Sequence, residues 1–172
     1  FYRMVYYLKK YTMIRRKNML EKAIMLATEA HKGQKDKGGK CYILHALRVM
    51  LCFEKEEQQI VAVLHDVLED TEINEEYLRN AGFSKNVVEA VVCLTKKQHE
   101  NYFDYIERVK QNDIARMVKL ADLQDNMNLK RIKNITQKDI ERIEKYKKAK
   151  EILKKTIPVQ EEIVACIEKY AE

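Results

Sequence analysis

Apolar positions recur at helical spacing through most of the chain. In "KNMLEKAIMLATEAH" (17–31), Leu20, Ile24, Ala27 and His31 share one stripe, which predicts a helix ending at Gly33. "GQKDKGGK" follows as a loop, and "YILHALRVMLCF" (42–53) predicts a second helix. A third is predicted over 56–69, carrying the apolar run "IVAVL" and broken by "DTEIN". A short helix near 74–81 ends at Gly82, a C-cap residue, and Ser84 reads as the N-cap of "KNVVEAVVCL". Helices near 101–111 and 113–128 come next, joined by "QND". Thr136 caps a charged helix over 137–156, Pro158 closes it, and a last helix covers 159–170. Four glycines and one proline leave little turn material for many short strands. The expectation is an all-α single bundle of about eight to ten helices, with 1–16 an N-terminal arm and 17–172 one domain.

Polar residues interrupt this pattern at three places. On the third helix, at about 100° per residue, His65, Asp66, Glu69 and Asp70 fall on the arc opposite Val61, Leu64, Val67 and Leu68. That arc is either a wet face or a site. In "IARMVKLADLQDNMNL" (114–129), apolar nearly all round, Asp122 is a costly group to bury. It can pair with Lys119, Arg116 or a helix N-terminus, or bind a metal; Asn126 lies one turn further on the same side. His45, embedded in "YILHAL", is either a satisfied core residue or a ligand. Taken together, His45, His65, Asp66 and Asp122 form a mixed nitrogen and oxygen set suited to a divalent ion such as Mn²⁺.

Composition narrows the alternatives modestly. The net charge is +6, but 33 basic residues are interspersed with 27 acidic ones, so a nucleic-acid partner is disfavoured. Cysteines at 41, 52, 93 and 166 form neither a CxxC nor a tight cluster, which fits a reduced, cytoplasmic protein. No apolar run reaches the ~18–20 residues of a membrane span. The start, "FYRMVYYLKKYT", is aromatic and basic without a signal-peptide core, and Met13 could be a native start. With the last helix, this arm could support a homodimer.

The motifs resemble the HD superfamily, named for an adjacent His-Asp pair, here His65-Asp66. More narrowly they are similar to the guanosine tetraphosphate (ppGpp) hydrolase domain of RelA/SpoT-type proteins, particularly the stand-alone small alarmone hydrolases. The stretches that carry the resemblance are "AHKGQKDKGGKCYILH" (30–45), "LHDVLEDT" (64–71), "LTK" (94–96), "VKLADLQDN" (118–126) and the weaker "RIEKYKKA" (142–149). The resemblance implies an HD-type helical fold and a Mn²⁺ ion, or another divalent ion, held by His45, His65, Asp66 and Asp122. It implies that Glu69 and Asp70 activate or position the attacking water, and that Lys37, Asn126, Arg142 and Tyr146 line the nucleotide pocket. His31 is not a ligand position in this pattern.

The implied reaction is hydrolysis of the 3′-pyrophosphate of a phosphorylated guanine nucleotide, ppGpp giving GDP and pyrophosphate. Family hydrolases usually carry an arginine before the loop lysine, where it helps hold the guanine; this chain has Asp36 there. The usual prolines are replaced by Cys41 and Ala46. Two competing readings follow: an HD phosphohydrolase for another phosphorylated nucleotide or cofactor, and a non-catalytic nucleotide-binding module.

Overall fold

A computed structural model describes residues 18–155, except residue 133 and the side chain of residue 131. The expected arm over 1–16, Pro158 and the last helix over 159–170 lie outside the described residues. The elements in chain order are α1 (Met19–Ala30), α2 (Ile43–Met50), α3 (Glu56–Leu64), α4 (Val67–Asp70) and α5 (Glu75–Asn80). They continue with α6 (Lys85–Leu94), α7 (Tyr102–Val109), α8 (Asp113–Met127), a 3₁₀ turn (Leu129–Arg131) and α9 (Gln137–Lys154). Among the described residues no strand forms; Lys35 and Cys41 pair as an isolated antiparallel bridge inside the α1–α2 loop. No helix among them is long and apolar enough to cross a membrane.

Short polar side chains start most of these helices. Asn74, Ser84, Asn101, Asn112 and Thr136 each accept a hydrogen bond from a backbone N–H in the first turn, satisfying a donor that has no partner within the helix. At Thr136 the Asp139 carboxylate reaches back to the cap's own N–H, completing a capping box. Gly82, at φ +87°, ends α5, with Phe83 N–H donating to the Leu78 carbonyl.

The centre of the bundle is α3, which packs against α1, α2, α6 and α8. With neighbours on every side it needs an apolar surface all round, and Ile60 through Leu64 are all buried. Truncating Leu64 to Ala there costs about 2–5 kcal/mol. α8 crosses α3 and is buried from Ala115 to Val118 and from Leu120 to Leu123, so Asp122 reaches the interior on an otherwise apolar helix.

The helix expected over 56–69 is two helices. α3 ends at Leu64, and Asp66 sits at φ −105°, ψ 0° before the single turn α4. The His65 ring supplies a cause: its Nδ1 bonds the Ala62 carbonyl at 2.7 Å, an acceptor the next helical turn would use. The one-arc projection fails with it. His65 is a core residue, 1% exposed, while Glu69 and Asp70 on α4 face solvent.

Candidate metal centre

Three of the four expected ligands converge. One ligand atom each from His45 (α2), His65 (end of α3) and Asp122 (α8) lie within 4.8 Å of one another, and all three residues are buried. The Nε2 atoms of His45 and His65 lie 3.2 Å and 3.7 Å from Asp122 Oδ1, yet neither makes a hydrogen bond. Their Nδ1 atoms are engaged elsewhere: His45 with Asp125 Oδ2 at 2.6 Å, His65 with the Ala62 carbonyl. Each imidazole is therefore anchored through one nitrogen and presents the other to a common point. Buried polar atoms ordinarily have partners. Two buried nitrogens facing the Asp122 carboxylate, with Asp66 beside one of them, fit a divalent cation, with the far nitrogens held in the way metal-binding histidines require.

Asp66, the fourth expected ligand, is half-buried at the rim of this group, its Oδ2 2.8 Å from His65 Nε2. The same oxygen accepts a short hydrogen bond from the Tyr42 hydroxyl. The Tyr42 ring lies tilted against His31, centroids 4.7 Å apart, and His31 Nδ1 bonds Gln34 Oε1 at 2.8 Å. His31 thus supports the rim from behind.

Asp122 also has protein partners. Lys119 Nζ bonds its Oδ2 at 2.8 Å, the pairing weighed above, and Asn126 Nδ2 donates to its Oδ1 at 2.5 Å. Burial alone would raise the Asp122 carboxyl, but Lys119 and the two imidazoles hold it well below the usual carboxylate range. Burial would likewise lower the imidazoles; Asp122 and Asp125 at His45, and Asp66 and Asp122 at His65, outweigh it and hold both above the ordinary histidine value. A cation entering this group displaces protons, so its affinity rises with pH.

Glu69 and Asp70 project from α4 beside the centre. Burial, with Asp66 nearby, raises both carboxyls. Glu69 Oε2 accepts the Lys96 backbone N–H at 2.9 Å. A cavity of about 220 Å³ adjoins the centre and shares His45 and Tyr42 with it as wall residues; Lys37, Asn126 and Arg142 line it as well. Tyr146 is not among the lining residues; it lies one turn along α9, its ring 6.0 Å from the Arg142 guanidinium carbon. Asp36 lines the cavity too, with Oδ1 accepting the N–H groups of Gly38 and Lys40 at 2.9 Å each.

Asp125 escaped the sequence reading. Its carboxylate takes His45 Nδ1 on Oδ2 and Arg48 Nε on Oδ1 at 2.7 Å, tying α2 to α8. The available signal was its place in "VKLADLQDN", one turn after Asp122.

No family model matches the chain. The chain is 33% identical over 120 residues to a guanosine-3′,5′-bis(diphosphate) 3′-pyrophosphohydrolase of Aquifex aeolicus, covering 63% of this chain and 17% of that protein. It is 32% identical over 124 residues to the bifunctional (p)ppGpp synthase/hydrolase SpoT of Escherichia coli, with 63% and 17% covered. The matched region thus spans about one sixth of these relatives' length, 17% in each case. A solved structure of a metazoan ortholog of SpoT, described as hydrolysing ppGpp and acting in starvation responses, superposes with a TM-score of 0.71 at 22% identity. That superposition covers 89% of this chain and 96% of the other. The chain therefore has the all-α fold expected of it, shared with that SpoT ortholog. Within that class, its sequence is similar to the ppGpp 3′-pyrophosphohydrolases of SpoT-type proteins.

Proposed function

We propose that this chain is a metal-dependent hydrolase that removes the 3′-pyrophosphate of ppGpp, giving GDP and pyrophosphate. The observation that carries the reading is the convergence of two buried Nε2 atoms, of His45 and His65, on the carboxylates of Asp122 and Asp66. The sequence similarity to ppGpp pyrophosphohydrolases supports the choice of substrate. In this reading His45, His65, Asp66 and Asp122 hold Mn²⁺, and residues 17–172 form one catalytic domain after a short arm. The scattered cysteines, with no CxxC and no tight cluster, support a reducing, cytoplasmic setting.

A divalent ion held by these residues would supply charge neutralisation at the phosphate and make a water more acidic. The protein's own groups do the rest. Glu69 or Asp70 takes the proton of the attacking water, and a carboxyl raised by burial is the better matched base near neutral pH. Lys37 and Arg142 offset phosphate charge in the cavity. Asn126 spans both regions, holding Asp122 while facing the cavity.

Asp36 favours a second reading, an HD phosphohydrolase for a different phosphorylated nucleotide, because one of its oxygens closes its own loop and no planar cation stands at that position to stack on a base. A turnover assay decides between them. Metal-stripped protein is incubated with ppGpp, Mn²⁺ is added back, and pyrophosphate and GDP are followed by ion-exchange chromatography beside Asp122→Ala. Metal-dependent release by the wild type alone supports the first reading. No release with metal bound sinks it and directs attention to other phosphorylated nucleotides. A protein that binds nucleotide and metal but turns over none of them is a binding module.

A further inference from the structure

The "LTK" stretch at 94–96 carries no role in the chemistry above, yet its backbone touches the candidate base: the Lys96 N–H donates to Glu69 Oε2 at 2.9 Å. Lys96 opens the exposed turn to Glu100, which contains His99 at φ +62°, a conformation that a non-glycine residue holds only at a cost. One side chain from outside the site clasps this turn at both ends. Arg108, on α7, donates from Nη1 to the Cys93 carbonyl at 2.9 Å and from Nη2 to the Thr95 carbonyl at 3.0 Å. It also grips Glu100 with both arms of its fork, Nε to Oε1 at 2.8 Å and Nη2 to Oε2 at 2.7 Å. Glu100 Oε2 in turn accepts the Lys97 N–H at 2.9 Å.

We propose that Arg108 is a positioning residue for Glu69: it fixes the turn 95–100 so that the Lys96 N–H holds one oxygen of the Glu69 carboxylate and leaves the other to the water. A planar fork with several fixed acceptors locates a backbone segment far better than a flexible ammonium does. The surrounding geometry requires nothing else of Arg108, whose remaining contact is with the Tyr105 ring, 5.4 Å from its guanidinium carbon. The inference rests on the reading of Glu69 as the base, and its test includes a measurement independent of turnover.

Arg108→Met is compared with wild type for kcat, KM, Mn²⁺ affinity and amide hydrogen exchange; Glu100→Ala is a second way to open the clasp if Arg108→Met does not fold. The expected result is a fall of about tenfold in kcat for pyrophosphate release, since a displaced catalytic group costs that much or more, with KM and metal affinity unchanged. Exchange over 95–100 should rise in a protein that stays folded, and Arg108→Lys should recover part of kcat. Glu69→Ala should raise exchange at 95–97 from the other side of the contact. A loosened turn with kcat intact overturns the proposal, as does a parallel loss of kcat, KM and metal affinity. If the wild type does not cleave ppGpp, the substrate reading fails by itself, and exchange decides the inference: unchanged protection at 95–97 in Glu69→Ala overturns it, and increased exchange supports it.

Discussion

The two walls of the site are built on different principles. The metal-centre wall stands on helices: His45, His65 and Asp122 are buried, come from three helical segments around the bundle's centre, and are each anchored by a second contact. The wall proposed to hold the nucleotide is largely loop. Residues 35–41 are held by a bridge at their base and by Asp36 bonding its own backbone, with Lys37 exposed at the tip. On the proposed reading, chemistry that needs atoms placed to a fraction of an ångström sits where packing does the placing, and selectivity sits where a side chain can change without disturbing the core. The departure at Asp36 falls on the second wall.

The largest effect should come from the first wall. Asp122→Ala removes the shared carboxylate, and metal-dependent pyrophosphate release should drop by about 10³-fold or more, with Mn²⁺ binding lost in calorimetry. Retained metal binding would show that Asp122 is only the partner of Lys119. Glu69→Ala comes next: kcat should fall about 10²–10⁴-fold while calorimetry still finds the metal. Loss of both together would move Glu69 from proton transfer to ligation. On the loop wall, Lys37→Ala should raise KM about tenfold at little cost in kcat, the loss of one charge-assisted contact. An unchanged KM would take Lys37 out of the pocket.

Asp36→Ala should lower stability by about 1 kcal/mol, about 2–4 °C in a thermal melt, because the Gly38 and Lys40 backbone donors lose their acceptor. An unaltered melt would mean that the loop needs no such tie. The smallest effect concerns acid stability. The Arg108 fork holds Glu100 from its ordinary 4.5 down to about 2. A carboxyl depressed in the folded state stabilises above its unfolded value, and that contribution drains as pH falls from about 4.5 towards about 2. Glu100→Gln should therefore show a shallower loss of stability over that window in acid titrations followed by circular dichroism.

The first wall was readable because its residues violate the pattern around them: an aspartate inside an apolar helix and histidines in apolar runs demand a reason, and the motif order supplied a resemblance. Helix ends were readable from Ser84, Thr136 and Gly82, where local chemistry decides the geometry. The break after Leu64 was not, because His65 capturing the Ala62 carbonyl is a local competition invisible to periodicity. Nor was the exposure of α3 readable, since an apolar arc on paper does not show that four other helices surround it. Asp125 and Arg108 make their anchoring contacts with partners as far as 80 and 15 residues away, separations that no spacing rule covers.

That longest contact bears on when the centre comes into being. Joining His45 to Asp125 closes 80 residues of chain, and His65 must arrive from between them. Closure over such distances is entropically costly and belongs to the end of folding. The unfolded polypeptide offers a divalent ion only the adjacent pair His65-Asp66, so an ion held as proposed binds the finished topology far more tightly than the open chain. Interactions made after the transition state slow unfolding and leave the folding rate alone. The ion would lengthen the lifetime of the native chain without shortening the time taken to reach it.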